Sequence, residues 1–139
     1  MDLLYREING WIGKPFIWGE RDCMIVLGDW VQKVHGFDPV ADLRFTYDSA
    51  GSCQRQTRFF TDPVAAVARF AEDICGFQRV EEPSKGDVGV LRVPVDGKMQ
   101  PVGGLFTGHS WAVKAPMGAT TLRPHEVLAI WGVGYEGKD

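Results

Sequence analysis

Cys23 is the side chain in this sequence best placed for covalent chemistry, because it stands where a loop turns into a helix. Trp18-Gly19-Glu20-Arg21-Asp22 reads as a turn followed by a helix cap, and Cys23 to Val34 carries apolar residues at 23, 27, 30, 31 and 34, one face of a helix. In a first helical turn the unpaired backbone N–H groups and the positive end of the helix dipole favour an anion, which biases a thiol toward the nucleophilic thiolate. The same residue opens the stripe Cys23, Leu27, Trp30, Val34, so the spacing equally describes a cysteine buried in the core. Asp22 reads as the N-cap of this helix rather than as a catalytic acid.

A cysteine nucleophile needs a base within hydrogen-bond reach and a polar group that orients the base. The sequence offers three histidines. His35 lies twelve residues along the Cys23 helix, about 18 Å away at 1.5 Å per residue, which is too far. His125, beside Glu126 in a late loop, reads as exposed to solvent. His109 remains, and the candidate catalytic pair is Cys23 with His109. Cys53 lies in the polar stretch SAGSCQRQ, where exposure is expected, and Cys75 closes a helix before Gly76. Three cysteines cannot all pair within one chain, and spacings of 30 and 22 residues match no zinc pattern, so neither a disulfide framework nor a metal site is expected. No cofactor is expected either.

The elements that must position these residues change character near Lys85. Before it the pattern is helical: residues 3–12, the Cys23 helix ending at Gly36, a polar helix near 49–60, and a helix from Asp62-Pro63 to Gly76 with Val64, Val67, Ala71 and Ile74 on one face. After it come short strands: Val88 to Leu91, a hairpin signal at Asp96-Gly97, Gly103 to Thr107 and Ser110 to Ala115 across a Thr107-Gly108-His109 turn, then 120–122 and 127–133. The expected fold is a single α+β domain, with a helical half of about 1–80 packed on an antiparallel sheet half of about 85–135.

Composition narrows the function classes. A chain of 139 residues, 45% hydrophobic, can bury one core. Fifteen basic against eighteen acidic residues, net −3, supply no cationic surplus for phosphates, so no nucleic-acid partner is expected. The opening MDLLYREINGW lacks the basic and apolar regions of a secretion signal, and no apolar run approaches the ~20 residues that span a bilayer. No membrane partner is expected. The chain is expected to stay in the cytoplasm that makes it, or to leave only inside a larger assembly.

Trp-Gly, two variable residues, Asp-Cys and an apolar helix containing Asp29-Trp30-Val31 resemble the nucleophile segment of NlpC-type, papain-like cysteine peptidases of the cell wall. The chain also resembles an uncharacterised family encoded among phage and prophage tail genes and related to those peptidases. That likeness runs through PFIWGERDC (15–23), Asp29-Trp30, Gly36-Phe37-Asp38-Pro39, the segment 47–55, KGDVGVL (85–91), GGLFTG (103–108) and Ile130-Trp131-Gly132-Val133.

The resemblance implies an NlpC-like fold, in which Lys85-Gly86-Asp87 makes a turn that opens the sheet. It leaves two registers for the base. With HSWAVKA as the strand facing the nucleophile, Cys23 and His109 form a dyad. With Val102-Gly103-Gly104-Leu105-Phe106 as that strand, Val102 takes the base position, and His109 lies seven residues on, roughly 20 Å away at about 3.3 Å per residue. The orienting position falls on Thr121 or on Lys114 accordingly, neither the usual residue type. The expected function is a catalytically degenerate structural component of a tail tip or baseplate that docks on hub or distal tail proteins in the virion. The alternative is an active cysteine peptidase or amidase cutting peptidoglycan peptides during genome entry, and a third reading is an acyl-transfer or thiol-dependent immunity protein of the same superfold. Five tryptophans and eight phenylalanines are expected to serve as core and interface anchors.

Overall fold

A computed structural model of the chain describes residues 2–137. Four helices come first: α1 (Leu3–Asn9), α2 (Ile25–His35), α3 (Ala50–Thr57) and α4 (Pro63–Ala71). Five strands follow: β1 (Val88–Val95), β2 (Lys98–Phe106), β3 (Trp111–Ala115), β4 (Gly118–Leu122) and β5 (Glu126–Trp131). The strands form one antiparallel sheet in the order β4-β3-β2-β1-β5. The change from helical to alternating periodicity near Lys85 is therefore the boundary between the two halves.

Local chemistry sets most of the ends. Asp2 accepts the Leu4 N–H and starts α1. Ser49 and Ser52 form a reciprocal capping box on α3, and Pro63 pre-sets the first turn of α4. Gly36, at φ 84°, ends α2 in the left-handed conformation that a side chain would resist. Asp96 and Gly97 both have positive φ, 51° and 79°, which is the turn that matches the twist of a two-residue hairpin between β1 and β2.

Several ends differ from the sequence reading. Helix α1 stops at Asn9 rather than near residue 12, because the Trp11 and Ile12 N–H groups bond three residues back, to Ile8 and Asn9, and tighten the chain into turns. Helix α4 stops at Ala71, and residues 72–75 continue as turns, with Cys75 N–H on the Phe70 carbonyl and Phe77 N–H on Ala71. Cys53, expected to be exposed, is fully buried. It forms with Thr57 the one buried line of an otherwise polar helix, one turn apart, and the Thr57 hydroxyl bonds the Cys53 carbonyl at 2.8 Å. Four residues of spacing set that face, which the polar composition of the segment conceals.

The core lies between the helices and one face of the sheet. Leu27 and Trp30 of α2, Val67 and Phe70 of α4, and Val88, Val90 and Leu105 of the sheet are buried there. Trp30 also donates its indole N–H to the Gly86 carbonyl at 2.8 Å, tying α2 to the turn that opens the sheet. Asp87 holds that turn through the Ser84 and Val133 N–H groups. On the opposite face Trp111 lies over Gly89 and Gly104 and shields a smaller cluster with Leu91, Val93 and Val113. None of the five tryptophans is exposed; the exposed large apolar side chains include Phe45, Ile12 and Met117 instead. No helix among the described residues is long and apolar enough to cross a membrane.

Candidate functional site

Cys23 precedes α2 by two residues, and its neighbour Asp22 is the true cap. Both Asp22 oxygens are committed: Oδ1 accepts the Met24 and Ile25 N–H groups at 2.9 Å each, and Oδ2 accepts Gly19 N–H at 2.9 Å and the Tyr47 hydroxyl at 2.7 Å. The carboxylate is 1% exposed and carries four donors, so it is a structural cap, as its place in the sequence predicts. It also sets a negative charge beside the thiol.

The thiol itself is 7% exposed. Strand β2 crosses directly over it, with the Gly103 N–H directed at Cys23 Sγ. Burial, reinforced by the Asp22 charge, pushes the Cys23 thiol up to about 12. A helix terminus contributes ~1 kcal/mol toward the thiolate. That is smaller than the opposing desolvation and repulsion, so the helix-start argument for a reactive anion loses. Cys53 and Tyr47 are likewise raised by burial, and together with Asp22 they make a neutral-thiol pocket around a single carboxylate.

His109 lies in the exposed turn between β2 and β3, where its N–H meets Thr107 Oγ1 at 3.3 Å. The β2 residue against Cys23 is Gly103. The strand runs on to Phe106, about 10 Å at ~3.3 Å per residue, before the turn that carries His109 begins. Val102, the base position in one sequence register, is the neighbour of Gly103 on this strand, and alternation turns its side chain to the opposite face, toward Leu91 and Val93. His35 bonds the Val133 carbonyl through Nε2 at 2.7 Å, and His125 is exposed. Of the two orienting candidates, Thr121 is exposed on β4. Lys114 buries its ammonium against the carbonyls of Lys14, Ala115 and Gly118 at 2.7, 2.7 and 3.1 Å, and burial lowers its pKa. No group of three or more His, Cys, Asp or Glu side chains that could hold a metal ion occurs among the described residues.

Cys23 faces a feature that the sequence reading missed, a cleft of about 1070 Å³. It exists because β2 and β3 pair only at Leu105–Ala112 and Phe106–Trp111. Beyond those pairs the β1–β2 and β3–β4 hairpins diverge. Val93, Val95 and Val102 line one wall, Val113, Ala115 and Leu122 the other, and Phe16, Trp18, Phe59 and Phe60 complete it beside Cys23. Among the lining residues there is no histidine, aspartate or glutamate; the charged ones are Lys114 and Arg123. The available sequence signal was Pro101, because a proline is tolerated in a strand only where its missing N–H faces away from a pairing partner.

A family model described as a domain of unknown function (DUF6950) matches residues 2–133, and the chain belongs to that family. No curated protein and no solved structure matches it.

Proposed function

We propose that this member of the family is a noncatalytic structural module of a phage or prophage tail tip, built on an NlpC-like, papain-type arrangement of helix and sheet. Its task is to dock onto a hub or distal tail protein. The observation that carries the noncatalytic part is the state of Cys23: buried under Gly103, held as a neutral thiol, and facing an apolar cleft without an imidazole. Thiolate attack on an acyl carbon needs an accessible anion and a proton acceptor, and neither is provided. The α+β order, with the cysteine at the start of the helix that packs on the sheet, supports the NlpC-like arrangement. The tail-tip setting rests on the near full-length likeness of the motifs between residues 15 and 133 to the tail-associated family.

The competing reading, a peptidoglycan peptidase or amidase, is favoured by one observation, that Cys23 borders the cleft at a helix start. Incubating the purified protein with muropeptides separates the two. No release of peptide is expected. Turnover that vanishes in both Cys23→Ala and His109→Ala, with the fold retained, overturns the noncatalytic reading; loss in Cys23→Ala alone assigns a different base. Mass spectrometry of purified particles tests the location: the protein is expected among virion proteins, and its presence only in the lysate of infected cells rejects the tail-tip role.

A further inference from the structure

The split between the two hairpins leaves main-chain groups of both strands without partners, and their directions follow from the register. Pro101 pairs opposite Arg92 and has no N–H, so this pair is a non-bonded one with respect to β1, and Pro101 points its backbone away from β1. Alternation then places Met99 and Gly103 the same way. Leu105, of the same parity, faces β3 and pairs with Ala112 there. On β3 the alternation continues from Ala112 to Lys114, whose N–H and C=O therefore face the cleft, since Val113 and Ala115 turn theirs toward Thr120 and Gly118 of β4. The Gly103 N–H is taken by the Cys23 thiol. What remains along the split, among the described residues, includes the Lys114 N–H and C=O on one side and the Pro101 and Gly103 carbonyls on the other, with the Met99 N–H and C=O further along β2.

We propose that the cleft is the seat of an extended segment of a partner protein, inserted as a strand between β2 and β3, with apolar side chains against Trp18 and Phe60 and a carboxylate at Arg123. Charge identifies the occupant. The cleft has two cationic side chains and no acidic one in a chain whose net charge is −3, and the Lys114 ammonium is already saturated by three carbonyls. Arg123, which also lines the cleft, is exposed and makes no ion pair among the described residues. The free backbone groups select an extended chain over a helix, because a helix satisfies its own N–H and C=O groups and offers none to a sheet edge. The inference rests on the docking role proposed above and names the chemistry of the docked segment.

A displayed library of random twelve-residue peptides, selected on the full chain, tests this. Recovered peptides are expected to alternate apolar and polar residues and to be enriched in Asp or Glu. A synthetic representative is expected to lose about fivefold to tenfold in affinity for Arg123→Glu, to regain it when its acid is changed to Lys, and to fail on Val95→Asp, a half-exposed wall position. Its binding is also expected to slow hydrogen exchange at the Lys114 amide. The proposal is overturned by an absence of enrichment, by peptides without acidic residues, by binding that leaves the Lys114 amide unprotected, or by sedimentation showing a dimer that Val95→Asp dissociates, which would make a second copy the occupant. Cleavage of a captured peptide would instead overturn the noncatalytic reading while leaving the occupant of the cleft as proposed.

Discussion

Gly103 lies so close over Cys23 that a Cβ at that position would stand 2.4 Å from the Cys23 carbonyl oxygen and 2.9 Å from Leu27 Cδ1. Backbone rests on backbone here, and the Gly103 N–H is directed at the Cys23 sulfur. The contact lets β2 seat on the start of α2, and it covers the thiol in doing so.

Gly103→Ala is accordingly expected to cost about 1–3 kcal/mol, because the nearest obstacle is main chain that cannot swing aside. Gly118→Ala, where the closest atom is Ile12 Cα at 3.8 Å, is expected to stay within about 0.5 kcal/mol of the parent. Urea unfolding of the two variants decides it; equal midpoints would mean that β2 can lift from Cys23.

Thiol labelling at neutral pH is expected to modify Cys75 first, although burial pushes it up to about 11, because it alone of the three is half-exposed. Cys23 and Cys53 should react only as the protein opens, and Cys75→Ala should remove the fast phase. Peptide mapping by mass spectrometry reads the order. Cys23 labelled ahead of Cys75 would restore the activated-nucleophile reading.

Asp22→Ala is expected to cost about 3 kcal/mol or more, since it strands the Gly19, Met24 and Ile25 N–H groups and the Tyr47 hydroxyl together. Tyr47→Phe, which removes one of the four donors and leaves the carboxylate capped, should cost about 1–2 kcal/mol. A smaller effect for Asp22→Ala than for Tyr47→Phe in thermal unfolding would show that the cap is not what holds this turn.

Stability is expected to be flat around neutral pH and to fall on both sides. The Cys23 thiol is raised from 9.0 to about 12, and the folded state thus holds its proton more tightly than the unfolded chain. Its contribution is complete below pH 9 and is lost as the pH climbs toward 12. On the acid side the Arg44 guanidinium, 2.7 Å from Asp38, holds that carboxyl below its usual range, so its contribution is present at neutral pH and is lost as the acid is titrated. Urea midpoints from pH 2 to 11 should lose part of the alkaline slope in Cys23→Ala, the rest coming from Tyr47, Cys53 and Cys75, which burial raises as well, and part of the acid slope in Arg44→Met.

Local signals in the sequence determined the elements. The Asp22 cap, the Asp62-Pro63 helix start, the Gly36 stop, the Asp96-Gly97 turn and the change of period at Lys85 each act within a few residues, and each stands in the structure near where its spacing places it. The Thr107-Gly108-His109 turn was legible for the same reason, whereas the distance of His109 from Cys23 was not, because two strand registers fitted the same residues. The tertiary structure alone decided the state of Cys23, because the helix-start bias toward an anion is local while the burial that outweighs it comes from β2, eighty residues along the chain. It alone exposed the split between β2 and β3 as well. Two strands that pair at Leu105–Ala112 and then diverge look, residue by residue, like two strands that stay together; the difference lies in where the hairpins pack and not in either segment.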